Sequence, residues 1–516
     1  MTDNISISSE NNKRIAKNTL FLYFRMLFTM SVSLYTSRIV LAVLGEDDLG
    51  TYGVVGGVVA MFSFLNSSLA DGTQRFLTFE LGKNDFVKLK HTFAASLNIH
   101  ILLAIVILIL AETIGLWFVM HKLNIPSGRE NAALWIYQFS ILSMFISITQ
   151  VPYNASIIAH ERMNIFAYFS IIDVMLKLLI VYLLTISGYD KLITYAVLYF
   201  TVTILTITFY FIYCRKQFDE CRFGLFYEKS LYTSILSFSG WNLMGCGAVM
   251  GATQGINILL NIFFNPAVNA ARELAVRVNS AISAFVNNFQ TAINPQIVKY
   301  YAGEKIPELN TLLLMNSKFS FCIMWILSFP LFLKLETVLD IWLTEVPAYT
   351  AVFCRLILLQ SLIYCTQRPL VMACVAIGKM RIFQLSTTPV LLLILPLSYI
   401  FLKLGFPAYV PFVTYIVATC VEFLIELYLL KNWIQLSWTK FLKTVIRPIF
   451  FVVLTSFPAP FFLSGVLDNS RLSFLMVCSL AIVNAILSIY YLALDKSLRK
   501  KIVNTIITKL LPKSHE

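Results

Sequence analysis

TQVPYNASIIAHERMNIF, residues 149–166, recurs as TQRPLVMACVAIGKMRIF, residues 366–383. Thr149, Gln150 and Pro152 match Thr366, Gln367 and Pro369, and Ala159, Met163, Ile165 and Phe166 match Ala376, Met380, Ile382 and Phe383. A second echo in a slightly shifted register sets Phe64 and Gly82 beside Phe285 and Gly303. Two halves of similar build, each several membrane spans long, are how many secondary transporters frame a substrate path at the repeat interface. The echo therefore points to a transporter.

The chain around it is apolar enough for that reading. Of 516 residues, 58% are hydrophobic and 13% charged, and the mean hydropathy is +0.77, beyond what a soluble core could bury. An all-α polytopic membrane protein is expected. Roughly 20 apolar residues cross a hydrocarbon core, and on that measure the chain divides into about 14 spans. They group as a tail (1–17), a six-helix bundle (18–214), a linker (215–230), a second six-helix bundle (231–432), two further helices (433–494) and a basic tail (495–516).

Loop charges set the orientation, because Lys and Arg are retained on the cytoplasmic side. Lys13, Arg14, Lys17, Lys83, Lys88, Lys90, Arg162, Arg215, Lys216, Arg222, Lys229, Lys305, Lys379, Arg381, Lys431 and Lys440 fall on one side; the opposite loops hold few, and one reads Glu46-Asp47-Asp48. Both termini are expected in the cytoplasm. The net charge of +13 is this bias and suits anionic membrane lipids; it does not imply nucleic acid. After Leu494, basic residues mixed with Ile502, Val503, Ile506, Ile507 and Leu510 suggest an amphipathic helix on the inner leaflet.

The sequence has no G-x-x-x-x-G-K-[ST] phosphate loop, no H-E-x-x-H and no soluble segment large enough for a catalytic fold, so no enzyme activity and no cofactor are expected. His160 and Glu161 read as a plain loop pair. Nine cysteines are scattered without metal or disulfide spacing and read as helix-packing residues.

Ionisable residues at membrane depth cost about 2.5–3.5 kcal/mol each on insertion scales and usually face a bundle interior or a wet cavity. Arg25 and Arg38 lie inside the first span, Arg38 within snorkelling reach of Glu46. Glu273, Arg277, Ser280, Ser283, Asn287, Gln290 and Asn294 recur every three or four residues and draw one polar stripe along the eighth span. Asn242, Cys246, Gln254, Asn257 and Asn261 do the same in the seventh. Polar glue between helices is one reading; a hydrophilic cavity between the halves is the other, and the expectation followed here. Asp71 and Arg75, and Asp173 and Lys177, sit one turn apart as self-neutralising pairs or exchangeable gates. Glu422 and Glu426 are candidates for a coupling proton or an interfacial role near Lys431. Pro152 and Pro369 should bend matching helices.

Two six-helix bundles, arginines in the first helix, a polar helix pair opening the second bundle, matched T-Q-x-P segments and two further helices together resemble the polysaccharide flippases of the Wzx type. These belong to the multidrug, oligosaccharidyl-lipid and polysaccharide exporter superfamily. The stretch GEDDLGTYGVVGGVVAMFSFLNSSLADGTQRFLTFELG, Gly45 to Gly82, is similar to the second-helix region of such bacterial exporters. The resemblance implies a V-shaped, MATE-like pair of bundles with alternating access. It implies a polyprenyl-pyrophosphate-linked oligosaccharide as cargo, with polysaccharide polymerase and chain-length proteins as partners. By position, it offers Arg25, Arg38, Arg75, Arg272 and Arg277 as cationic contacts; the polar rows themselves add Asn242, Gln254, Asn257, Asn287 and Gln290 as expected sugar contacts, and the intramembrane charges and prolines add Asp71, Asp173, Lys177, Glu273, Glu422, Pro152 and Pro369 for gating or coupling to H+ or Na+. A cation-coupled multidrug exporter, a peptidoglycan-precursor flippase and a membrane sugar polymerase or acyltransferase are the competing readings. No acid falls between Asn18 and Leu44, which favours anionic cargo.

Overall fold

The computed structural model describes residues 17–499 apart from 34, 37–38, 41–42, 45–47, 49–50, 53–54, 57–58, 60–62, 123–127, 223, 225, 265, 344–345, 468–470, 496–498. Arg38 and the tail helix expected after Leu494 lie outside the described residues. Every regular element described is helical: besides short helical pieces between residues 35 and 59, there are fourteen longer runs. They are α1 (17–33), α2 (Ser63–Lys83), α3 (Phe86–Leu110, continued through a π-turn at Ala111–Gly115 into Leu116–Lys122), α4 (Glu130–Ala159), α5 (Met163–Ile186), α6 (Lys191–Gln217) and α7 (Lys229–Phe263). After these come α8 (Pro266–Ala302), α9 (Ile306–Trp342), α10 (Thr350–Ile377), α11 (Met380–Lys403), α12 (Val410–Ile434), α13 (Trp438–Phe441 through Pro458–Val466) and α14 (Arg471–Ser488, ending in the π-turn Ile489–Ala493).

Eleven of these runs are long and apolar enough to cross a membrane by length and composition. They expose large apolar side chains such as Ile186, Phe462 and Leu472, as lipid-facing helices do. The 37-residue α8, expected as the eighth span, is not among them. Its charged residues Arg272, Glu273, Arg277 and Lys299, with seven Asn or Gln side chains, dilute its hydropathy.

Local chemistry sets the helix ends. Asp190 caps α6 by accepting from Leu192 N and Ile193 N, and Asp85 caps α3 by accepting from Lys88 N, the arrangement that satisfies orphan amides of a first turn. The turns also carry the internal repeat. Between α2 and α3, Asn84 (φ 56°) is left-handed and its amide donates to Leu81 O while Asp85 N donates to Glu80 O; between α8 and α9, Glu304 (φ 56°) donates to Tyr301 O and Lys305 N to Tyr300 O. In the T-Q-x-P copies the left-handed residues are Glu161 (φ 59°) and Gly378 (φ 82°), which hold the same place in the alignment. Left-handed closure of a helix end recycles its last carbonyls. Both T-Q-x-P helices run on through their prolines, Pro152 and Pro369. A break in helical dihedrals falls instead in α9, at Lys334 (φ −126°, ψ 37°).

The helices sort into two compact units. The first takes the described residues up to Gly247 with Thr291–Lys305 and Val375–Gln384; the second takes Ala248–Gln290, Ile306–Cys374 and the described residues from Leu385. In the first, Leu77, Phe93, Tyr153 and Tyr210 bring α2, α3, α4 and α6 into one apolar cluster. Gly82 lets α2 press on the end of α8: a Cβ there would stand 2.8 Å from Ala302 Cβ and 2.9 Å from Lys299 Cα, the close approach small residues permit. In the second, Ile282 and Val286 of α8 pack with Trp325 and Phe329 of α9, Leu358 and Leu362 of α10, and Ala481 and Ala485 of α14.

Candidate transport-path residues

In the second unit α8 is two-faced. Ala271, Ala275, Ile282 and Val286 are buried, whereas Glu273, Arg277, Ser280 and Asn287 are exposed. The two rows follow the spacing of opposite helix faces. Arg277 makes no hydrogen bond or ion pair with the described residues. Arg272 behaves differently: it is 8% exposed, donates from Nη2 to Thr253 O at 2.8 Å and stands 3.3 Å from Glu273 Oε1. It therefore ties α8 to α7. Gln290 is 3% exposed, and its Nε2 donates to Ser320 Oγ and Cys365 O, both at 2.9 Å. On α7, Gln254 is exposed and Asn257 half-buried. The buried Asn257 Oδ1 has no partner among the described residues.

The lower part of α7 belongs to the first unit, where Asn242 donates to Ser68 O at 3.2 Å and Ser68 Oγ donates to Ser239 O at 2.8 Å. This exchange locks α7 against α2. Also in the first unit, Arg25 stacks 4.6 Å from the centroid of the Phe166 ring and reaches Ser170 Oγ at 3.5 Å. Asp173 and Lys177 form the pair their spacing suggests, 2.8 Å apart, and Thr206 Oγ1 adds a hydrogen bond to Asp173 at 3.2 Å. Lys177 lines a small cavity with Ser33, Thr36, Tyr195 and Tyr199.

Arg75 is 8% exposed. Its guanidinium donates through Nε and Nη2 to Ala376 O, at 3.3 and 3.0 Å, between the rings of Phe76 and Phe79. It caps the end of α10 where that end abuts the Gly378 turn. Asp71, one turn earlier, is exposed. Glu422 is half-buried on α12, and Pro152 and Pro369 are buried.

A cluster that the sequence reading treated as a plain loop lies at the other turn. Glu161, 4% exposed, accepts at Oε1 from Lys299 Nζ (2.6 Å) and Gln296 Nε2 (2.7 Å), while its backbone carbonyl accepts from Asn18 Nδ2 (3.2 Å). Its neighbour His160 pairs through Nε2 with Glu220 Oε1 at 2.6 Å. The cluster gathers α1, the α4–α5 turn, the approach to α7 and the end of α8. The partners of Glu161 lie more than a hundred residues away in sequence, and the signal at hand was a polar turn inside the repeat.

No family model matches the chain, and no curated protein matches it. Solved structures do. A point mutant of a MATE transporter aligns at TM-score 0.70 and 15% identity, covering 82% of this chain and 96% of that one. An outward-facing multidrug resistance MATE family transporter of the MOP superfamily aligns at 0.67 and 16%, with the same coverages. So does a MOP superfamily transporter from Pyrococcus furiosus Vc1 (DSM3638), whose description is that reverse polarity of its binding pocket suggests a different function, at 0.67 and 16%. The chain is thus a multi-pass membrane protein with a fold like that of the MATE transporters.

Proposed function

We propose that this protein is a lipid-linked oligosaccharide flippase of the bacterial inner membrane. It would move polyprenyl-pyrophosphate-linked sugar units from the inner to the outer leaflet by alternating access. The observation that carries the reading is the exposed row Glu273, Arg277, Ser280 and Asn287 on α8, with the Arg277 guanidinium committed to no described residue. A long polar row is costly against lipid, and a guanidinium fork meets phosphate oxygens bidentately and stays charged. In this role Arg277 engages the pyrophosphate, and Asn287 and Gln254 supply hydrogen bonds to sugar hydroxyls. Arg25, against Phe166 and Ser170, supplies a second cation in the first unit. Arg272, Gln290, Asn242 and Arg75 support these contacts by fixing helices. The lipid tail stays in the bilayer, and both termini lie in the cytoplasm.

The test measures surface polysaccharide, and the sidedness of its lipid-linked intermediate, in a deletion strain complemented with wild type or Arg277→Ala. Intermediate trapped on the inner leaflet, rescued only by wild type, supports the reading. Normal polymer in a deletion strain lacking any redundant flippase overturns it. Cation-coupled multidrug export is the second reading, favoured by the MATE-type neighbours and by the carboxyls of Glu422 and Glu426; drug sensitivity of the same strain tests it.

A further inference from the structure

Within the second unit, the matched T-Q-x-P segment places Gln367 against α12. Gln367 and Glu426 are each 2% exposed, and Gln367 Nε2 donates to Glu426 Oε1 at 2.9 Å. The other two polar atoms of the pair, Gln367 Oε1 and Glu426 Oε2, are buried and have no hydrogen-bond partner. Both are acceptors, so the arrangement lacks a donor. Glu426 forms no ion pair with the described residues. The titratable groups beside it are Glu422, one turn earlier on its own helix, and the Cys374 thiol on α10, and neither is a cation. A buried carboxylate with a single amide donor and no counter-charge is an arrangement that folded proteins avoid.

One added proton repairs the pair. With the proton on Oε2, the carboxyl becomes an O–H donor, able to serve Gln367 Oε1 while Oε1 keeps accepting from Nε2. This is the reciprocal pairing of a carboxylic acid with a primary amide, and it removes both orphan atoms at once. We propose that Gln367 and Glu426 form a proton-binding site in the second unit, and that the site holds its proton in the conformation described here. Releasing the proton leaves a carboxylate that must gain water or a new donor, so loss of the proton favours a conformation in which α10 and α12 admit one. The use of this site to couple a proton gradient to cargo rests on the transporter reading above; its occupancy does not.

The test is infrared spectroscopy of the purified full-length protein in lipid, without cargo, at neutral pH and across an alkaline titration. The expected result is a carbonyl-stretch band of a protonated carboxylic acid that is lost in Glu426→Gln and retained in Glu422→Gln. The Gln367→Leu variant, which removes the amide partner and keeps the acid, should shift that band. Glu426→Gln imitates the neutral acid, so its unfolding temperature should match wild type only at about pH 4, where an unfolded carboxyl is still protonated, and should gain on wild type as pH rises. Absence of an acid band assigned to Glu426 overturns the site, and so does stability of Glu426→Gln that falls with pH in parallel with wild type. A sodium-compensated carboxylate would give that first negative. Failure here leaves the flippase reading standing, and failure of the polysaccharide experiment leaves the proton site standing.

Discussion

Lys299 Nζ lies 2.6 Å from Glu161 Oε1, joining the end of α8 to the turn between α4 and α5. The carboxylate is 1% exposed at its side chain and the lysine 23%, so the pair is shielded from solvent on one side only. Lys299→Met should remove a charge-assisted hydrogen bond from the buried Glu161 carboxylate and cost on the order of 1–3 kcal/mol. Glu161→Gln with Lys299→Met should cost less than the sum of the single changes. Unfolding of the four proteins in detergent measures this; additive losses would show the two side chains to be uncoupled.

Gly378 and Gly405 offer a matched comparison. Both have positive φ, 82° and 87°, so alanine at either pays a left-handed penalty of about 1–2 kcal/mol. A Cβ at Gly378 would also stand 2.5 Å from Arg75 Nη2, whereas at Gly405 it meets open space. Gly378→Ala should therefore destabilise more than Gly405→Ala, and the excess should vanish in an Arg75→Ala background. Thermal unfolding checks both parts.

On the proposed function, variants at Arg272 and Arg277 should separate fold from transport. Arg277→Ala should leave stability within about 0.5 kcal/mol of wild type, as expected for an exposed side chain without partners, while lowering surface polysaccharide. Arg272→Ala removes a buried link to Thr253 O and should lower the unfolding temperature as well as transport. Equal stability losses in the two variants would sink this assignment.

Asp190 supplies a pH dependence outside the spans. Partial burial pushes its carboxyl up, but Ile193 N, Arg129 and Leu192 N together outweigh it and hold the group below the usual aspartate range. A carboxyl depressed in the folded state adds stability that is present above the unfolded value of about 3.9 and is lost as pH falls through the folded one. The stability gap between wild type and Asp190→Asn should thus be constant near neutrality and close below about pH 4. Denaturation followed against pH measures it; a gap that widens in acid would contradict the argument.

The fold was legible because its main signals are local or periodic. Apolar runs of span length need no knowledge of neighbours, and the T-Q-x-P echo predicted a repeat that reappears in the left-handed turns at Glu161 and Gly378. The polar row of α8 was legible as a stripe, since spacing fixes which side chains share a face. What each side chain meets was not legible. Arg75 and Arg272 read like Arg277 from sequence, yet the first is bound to Ala376 O and the second to Thr253 O. Those acceptors are backbone carbonyls, which every residue carries and no motif marks. Glu161 was passed over for a similar reason: its side-chain partners Gln296 and Lys299 lie in the other half of the chain.

The two left-handed turns hold matching places in the repeat, and they do different work. At one, glycine has kept the bend effortless and left room for an arginine from α2 to lean on it. At the other a glutamate accepts the awkward backbone, and the same position now reaches out and grips α8. The two matching corners serve as a socket in one copy and a hook in the other. Grafting either corner onto its twin would test symmetry itself, since each corner would leave its own partners, Arg75 at one and Lys299 and Gln296 at the other.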